Sequence, residues 1–283
     1  MWASDTVQSL FPSDMVAPHY NHKPGKDKMN TAEITGIFRY PVKGLSSDPL
    51  DCANLISGEC IAGDRGWAIE AGTRKFDAVN PRYFPKVNFL MLMRDERLAA
   101  LESRFDDTSG ILTILRNGKQ VCSGNLNDKI GRHLLEQFFA AYLPDASRGA
   151  PKFVRAQNWS FSDVPEKAVS IINLASVRDI ERVTGAKVDP ARFRGNVLVD
   201  GIEPWAEFDW IGKSLSIGGE PLLEVFERTR RCAATNVNPQ SAERDMTIPR
   251  SLSAAFGHQD CGIYAKIIAD GKISTGDKIS VVA

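Results

Sequence analysis

The chain is poor in the residues that mark several large functional classes. Its five cysteines, Cys52, Cys60, Cys122, Cys232 and Cys261, are an odd and widely spaced set without a C-x-x-C pair. That usage argues against a disulfide framework and for thiols that stay reduced, either buried or individually reactive. Neither sign of charge is in excess, with 35 Lys and Arg against 35 Asp and Glu in 283 residues. No uniform field therefore draws the molecule onto nucleic acid or an acidic membrane, although a local basic pocket is compatible with overall neutrality. No run approaches the ~20 apolar residues of a membrane helix, and the first thirty residues lack the continuous apolar stretch of a secretory signal. The expectation is a soluble, cytoplasmic chain that binds neither nucleic acid nor membrane. Internal repeats and low-complexity tracts are also missing. What is present, 43% hydrophobic and 25% charged residues, suffices for a sizeable core and leaves room for two domains.

Residues 1–31 hold Pro12, Pro18, Pro24 and Gly25 among mixed charges, with no period in their few apolar residues, and read as a disordered tail. Met29 stands just ahead of the first regular pattern and is a candidate start site. From Glu33 the chain becomes strand-like up to Tyr40, where Pro41 blocks further ladder donation. Further strands are expected at Gly63 to Glu70, Lys86 to Leu92, Ile111 to Arg116 and Lys119 to Ser123. Between Asn127 and Leu143, Ile130, Leu134, Leu135, Phe138, Phe139 and Tyr142 recur at helical spacing, with Asn127 as the cap and Pro144 as the stop.

The small and polar residues of Asp145 to Pro151 form the expected joint between two domains, 32–144 and 145–283. In the second, a strand at Val169 to Asn173 leads into a helix, Leu174 to Thr184, that Gly185 ends. Strands at Asn196 to Val199, Ser214 to Ile217, Leu222 to Glu227, Cys261 to Ala269 and Lys278 to Val282 follow, with a short helix at Pro249 to Phe256. The fold class is mainly β with packed helices, an α+β arrangement.

The stretch from Phe226 to Pro239 carries the sharpest chemistry. Arg228, Arg230 and Arg231 precede Cys232, and clustered cations favour thiolate over thiol, which makes Cys232 a candidate nucleophile or soft-metal ligand. A small buried hydrophobe is the ordinary fate of a lone cysteine. Cys52, Cys60 and Cys122 have no basic cluster and read as structural. His258, Asp260 and Cys261 with Cys232 offer imidazole and thiolate, but without the fixed spacing of a structural zinc site, and zinc is not expected. Trp205 and Trp210 bracket Glu207 and Asp209 and read first as core, with a wall of a substrate entrance as the alternative.

The Cys232 segment resembles the cysteine motif of the MOSC family, named for the carboxy-terminal part of molybdenum cofactor sulfurases. Tyr40-Pro41-Val42-Lys43-Gly44 and Gly63-Asp64-Arg65-Gly66-Trp67 resemble the two signatures of the family's amino-terminal β-barrel domain. Ala191 to Val197 resembles its R-F-R-x-N strand, and Gly257 to Tyr264 and Gly271 to Asp277 its last two strands and their turn. The resemblance runs in family order from about Ala32 to Val282. In layout it is similar to bacterial two-domain MOSC proteins and to the mitochondrial amidoxime reducing component.

The resemblance implies a β-barrel-like MOSC domain after a smaller β-rich amino-terminal domain. It implies a molybdenum-pyranopterin cofactor, with Cys232 as the protein's thiolate ligand to the metal and as a catalytic residue. Thiolate is the soft donor suited to such a centre. The cofactor's phosphate calls for charge-assisted donors, and Lys43, Arg65 and Arg194 stand at the family's cofactor-contacting positions, with Arg192 and Arg231 as reserves. Gly44 replaces a serine found in many members, so that a backbone N–H is what remains to reach phosphate there.

Asn173 and Ser176, at a strand-to-helix junction, suit phosphate or a pterin edge, or else an ordinary helix cap. Asn196 is a pterin contact or a strand-turn residue. Asp260 is a proton carrier for reductive oxygen removal or the cap of a turn before Gly262. The implied activity is reduction of N-hydroxylated or N-oxide compounds, with oxygen passing from substrate to the metal and water released on protonation. No C-x4-C-x2-C iron–sulfur signature follows the segment, so the expected electron donor is a separate ferredoxin, flavodoxin or cytochrome. The alternative is a cofactor or sulfur carrier in which Cys232 bears a persulfide.

Overall fold

The computed structural model describes residues 31–71, 73–145 and 149–282. The expected disordered tail and the candidate start at Met29 lie outside the described residues, apart from Thr31, which opens the first strand. The first half contributes β1 (Thr31–Arg39), β2 (Asp48–Leu50), β3 (Cys52–Leu55), β4 (Ala68–Glu70), β5 (Glu102–Asp106), β6 (Ile111–Arg116), β7 (Lys119–Asn125) and α1 (Lys129–Tyr142). The second contributes β8 (Lys152–Val154), β9 (Val169–Asn173), α2 (Leu174–Thr184), β10 (Val197–Asp200), β11 (Ser214–Ile217), β12 (Leu222–Arg230), α3 (Ile248–Phe256), β13 (Asp260–Ala269), β14 (Gly271–Ser274) and β15 (Lys278–Val282). The fold is mainly β with three α-helices among the described residues, an α+β arrangement.

The large sheet runs β10-β9-β13-β12-β11-β15-β1-β2, and β10 also pairs with β1, so the ladder returns to its start. Apart from the parallel β9–β10 pair, its ladders are antiparallel. The β9-to-β10 connection passes through α2, as a parallel crossover requires. Alternation in β11, with Leu215 and Ile217 inward, and in the first half of β1, with Ala32 and Ile34 inward ahead of a register shift, builds a core that Val225, Ile263 and Ile279 continue. Hydrogen bonding crosses the expected 144/145 boundary: β1 pairs with β10 and β15, and β3 with β14. A second core gathers Leu112 and Ile114 of β6, Leu135 and Phe139 of α1 and Trp67, with the β5-β6-β7 sheet over it.

Several local expectations are corrected. Lys86 to Leu92 is not a strand: Lys86–Asn88 is a 3-10 turn behind Pro85, and a single bridge joins Glu70 to Phe89. From Gly63 to Glu70 only the last three residues are extended in a ladder. α1 is capped by Asp128, whose carboxylate accepts from the Gly131 N–H at 2.7 Å, whereas Asn127 donates its own N–H to Asn125 Oδ1. The α2 stop is as expected, with Gly185 in the left-handed region at φ +68°. Trp210 is buried core, and Trp205 donates from Nε1 to Asp179 at 2.8 Å. No helix of the described residues is long and apolar enough to cross a membrane.

Candidate functional site

β12 ends at Arg230, and its pairing with β13 is irregular between Val225 and Glu227 and again between Arg228 and Arg230. Such irregularities re-aim side chains, and the three arginines ahead of Cys232 part company. The Arg228 guanidinium lies 4.3 Å from the Phe208 ring centroid, outside the cleft described below. Arg230 donates to Gln259 Oε1. Arg231 is buried and donates to the carbonyls of Cys261 (2.7 Å) and Phe193 (2.8 Å). Gly262 makes room for it: a Cβ there would stand 2.4 Å from the Ile171 carbonyl oxygen and 3.2 Å from Arg231 Nη2.

Cys232 is partly exposed and precedes a 3-10 turn, Ala233–Asn236. The Thr235 hydroxyl (2.9 Å) and N–H (3.1 Å) both donate to the Cys232 carbonyl and fix the backbone there.

Cys232 lines a solvent-open cleft to which both halves of the sequence contribute. Lys43, Gly44, Arg65, Arg192, Arg194, Asn196 and Arg231, all singled out from the sequence, line the same cleft. With Lys86 and Arg230 its wall holds seven cationic side chains against one carboxylate, Asp163. Asp163 accepts from Lys43 Nζ (2.5 Å) and Lys86 Nζ (3.2 Å). Burial works against the Asp163 charge, but the two ammonium groups outweigh it and hold the carboxyl well below the usual carboxylate range. Lys43, buried, is held below the ordinary lysine value by desolvation, which Asp163 offsets in part.

Tyr40, beside the cleft, carries two of its arginines on its ring. The Arg194 and Arg65 guanidinium groups stand 4.2 and 4.8 Å from its ring centroid. Arg65 donates to Asp64 Oδ2 (2.5 Å) and to the Arg194 carbonyl (3.0 Å), and Arg194 donates to the Leu45 carbonyl (2.7 Å). Arg192 is paired with Asp245 at 2.8 Å. The buried Arg192 Nε and Thr229 Oγ1 have no hydrogen-bond partner among the described residues, and both residues line the cleft. Asn196 is largely committed to structure, its Oδ1 accepting from the Ser170 N–H and its Nδ2 donating to the Phe38 carbonyl, both at 3.1 Å.

Asn173, Ser176 and Asp260 are not brought into the cleft. Asn173 caps α2, accepting from the Ala175 N–H, and donates to Glu207 Oε2 at 2.8 Å. Ser176 donates to the same carboxylate at 2.8 Å and accepts from the Trp205 N–H. Both are fully buried, as is Glu207, whose carboxyl burial pushes up despite these bonds and one from Gly262. The helix start that suggested an anion site is thus filled by a side chain of the protein itself. Asp260 opens β13 opposite Arg230 and donates its N–H to His258 Nδ1. Among the described residues no group of three or more His, Cys, Asp or Glu is placed to hold a metal ion.

Sequence reasoning gave no role to Lys86, Asp163, Thr229 or Tyr264. Thr229 and Tyr264 lie in quoted motifs; nothing local marks Lys86 or Asp163, which the tertiary fold brings into the cleft that Cys232 lines.

Residues 158–280 match the model of the MOSC domain. Among solved structures, the YuaD protein of Bacillus subtilis is similar at 18% identity over 88% of this chain and 94% of its own, with a TM-score of 0.43. YiiM of Geobacillus stearothermophilus is 18% identical and covers 41% of this chain and 54% of its own, TM-score 0.32. YiiM of Escherichia coli is 22% identical over the same shares, TM-score 0.29. No curated protein matches the sequence.

Proposed function

We propose, for a chain whose residues 158–280 are a MOSC domain, that the cleft holds a molybdenum-pyranopterin cofactor and that the protein reduces N-hydroxylated or N-oxide compounds. The observation that carries the reading is the meeting, in one cleft, of a partly exposed thiol with five arginines, of which only Arg65 and Arg192 have a carboxylate partner among the described residues. The donor set fits such a group. Its phosphate needs several cationic donors, and buried Arg192 Nε and Thr229 Oγ1 are polar atoms in want of a partner.

In this reading Lys43, Arg65 and Arg194 hold the phosphate, with the Gly44 backbone beside them. Arg192 and Asn196 face the pterin, and Cys232 is the thiolate ligand to the metal. Arg231 braces the strand end through its carbonyl contacts. Lys86 lines the same cleft as Cys232. Bound there, the cofactor supplies the two-electron redox chemistry that takes oxygen from nitrogen. The reaction consumes two protons, and Tyr264, a cleft-wall residue whose hydroxyl burial keeps above the ordinary tyrosine value, holds one at Oη. Asp260, outside the cleft, is given no part. Electrons come from a separate ferredoxin, flavodoxin or cytochrome.

Protein purified from a host that makes the cofactor should contain close to one molybdenum per chain by elemental analysis, and Cys232→Ala should lose it. It should also reduce an amidoxime with an artificial electron donor. Molybdenum retained equally in the variant would overturn the ligand assignment. Persulfide on Cys232 of metal-free protein, with no reduction by loaded protein, would favour the carrier reading.

A further inference from the structure

We infer that the substrate carries an anionic group beside its N–O function, and that Arg230 and Lys86 select for it. The inference rests on the function proposed above and names its substrate class.

It comes from pairing the cleft's charges. Asp64 answers Arg65 at 2.5 Å, and Asp245 answers Arg192 at 2.8 Å. Lys43 and Lys86 share the single carboxylate of Asp163. Arg194, Arg230 and Arg231 have no carboxylate partner among the described residues, and one lysine charge is left over, so the cleft carries an unanswered excess. A phosphate dianion seated on Lys43, Arg65 and Arg194 accounts for part of it, at the Tyr40 end. The remainder stands at the Cys232 end.

Two of those remaining cations are able to meet a ligand. Arg231 is buried, and each of its three nitrogens already donates to the carbonyl of Cys261 or Phe193. Arg230 is exposed, and although Asp260 stands opposite it in the ladder, its Nε and Nη2 go to the neutral Gln259 oxygen at 3.4 and 3.2 Å. Those are long contacts for a guanidinium, which a carboxylate replaces with shorter charge-assisted ones. Lys86 comes from a different segment and has donor capacity beyond Asp163. A neutral substrate leaves both charges unanswered, whereas a carboxylate, phosphate or sulfonate is held between the two segments beside Cys232.

The test measures binding of benzamidoxime and 4-carboxybenzamidoxime to the loaded protein by isothermal titration calorimetry at low salt, with reduction of both followed in parallel. The carboxylated compound should bind about tenfold more tightly, the size of one charge-assisted contact at a partly exposed site. Arg230→Gln and Lys86→Gln should each cut that preference at least threefold, and added salt should shrink it. Equal affinities in the wild type, or a preference unmoved in both variants, would overturn the inference. So would an effect of Arg230→Gln confined to the rate with a protein electron donor, which would make the charge a docking feature for an acidic partner. Loaded protein that reduces neither compound defeats the proposed reaction, while the binding ratio still decides the anion selectivity.

Discussion

Gly44 stands where many proteins with a similar first signature have serine, and the backbone gives a quantitative reason to expect that serine is not tolerated here. Its φ is +88°, and an added Cβ would lie 2.7 Å from the Leu90 carbonyl oxygen. That oxygen belongs to a fixed segment, since the Leu90 N–H donates to the Ile69 carbonyl at 2.9 Å and Phe89 bridges to Glu70. A non-glycine residue in the left-handed region costs about 1–3 kcal/mol, and an overpacked contact with backbone that cannot yield adds about 1–3 kcal/mol more. Gly58 separates the two contributions: its φ is +75°, but nothing lies within 4 Å of an added Cβ. At about 3 °C per kcal/mol for a chain of about this size, the middle of each range lowers Tm by about 6 °C for Gly58→Ala and by about 12 °C for Gly44→Ala. Gly44→Ser should follow Gly44→Ala, because the obstacle is the Cβ and not the hydroxyl. Thermal denaturation followed by circular dichroism measures all three. Gly44→Ala melting within about 1 °C of Gly58→Ala would refute the argument from close approach.

Two further outcomes follow from the titrating groups. Asp163 is depressed below its ordinary value, so the stability it contributes is complete above the usual carboxylate range and is lost as pH falls through and below it. The Tm difference between wild type and Asp163→Asn should therefore be largest near neutral pH and shrink below about pH 4, where the free carboxyl titrates; a difference constant with pH would count against the Lys43–Asp163–Lys86 arrangement. Iodoacetamide should label Cys52, which is exposed, and Cys232, which lines the cleft, before Cys261, a fully buried thiol pushed up to about 12 by desolvation. Peptide mapping by mass spectrometry after brief exposure of the folded protein reads the order, and early labelling of Cys261 would contradict its burial.

Much of the secondary structure was legible where a single period governs a segment. α2 reads off its apolar spacing and its glycine stop, β6, β9 and β15 off short β-branched runs between breakers, and β11 off its alternation. What failed did so for local reasons. β2 carries Pro49, which reads as a break, yet lies at the sheet edge opposite Phe38 where no ladder donor is needed. β3 and β14 are short and polar on one face, and only their mutual pairing makes them strands. The Lys86 to Leu92 stretch has the residue types of a strand, but no partner runs alongside it beyond one bridge.

The site was legible to the extent that chemistry marks residues locally. A cysteine among arginines, and basic residues within glycine-punctuated motifs, were visible; the carboxylate that two lysines share was not, because Asp163 reaches Lys43 across 120 residues. Asn173 and Ser176 lie outside the cleft for a reason that local sequence does not show: a capped helix start with polar side chains looks alike whether an external anion or an internal glutamate completes it, and Glu207 arrives from 31 residues beyond Ser176.

Arg65 and Arg194 point the other way. Both hold φ above +50° without being glycine, at +51° and +53°, a conformation that costs about 1–3 kcal/mol each. That strain places two guanidinium groups over one tyrosine ring. Burial lowers the Arg194 pKa, and the nearby Arg65 charge pushes in the same direction. Asp64 forms its ion pair with Arg65 and acts on Arg194 only through space. This pairing of like charges with backbone strain, which a dianion seated on the two arginines would offset, supports the proposal that they hold a phosphate.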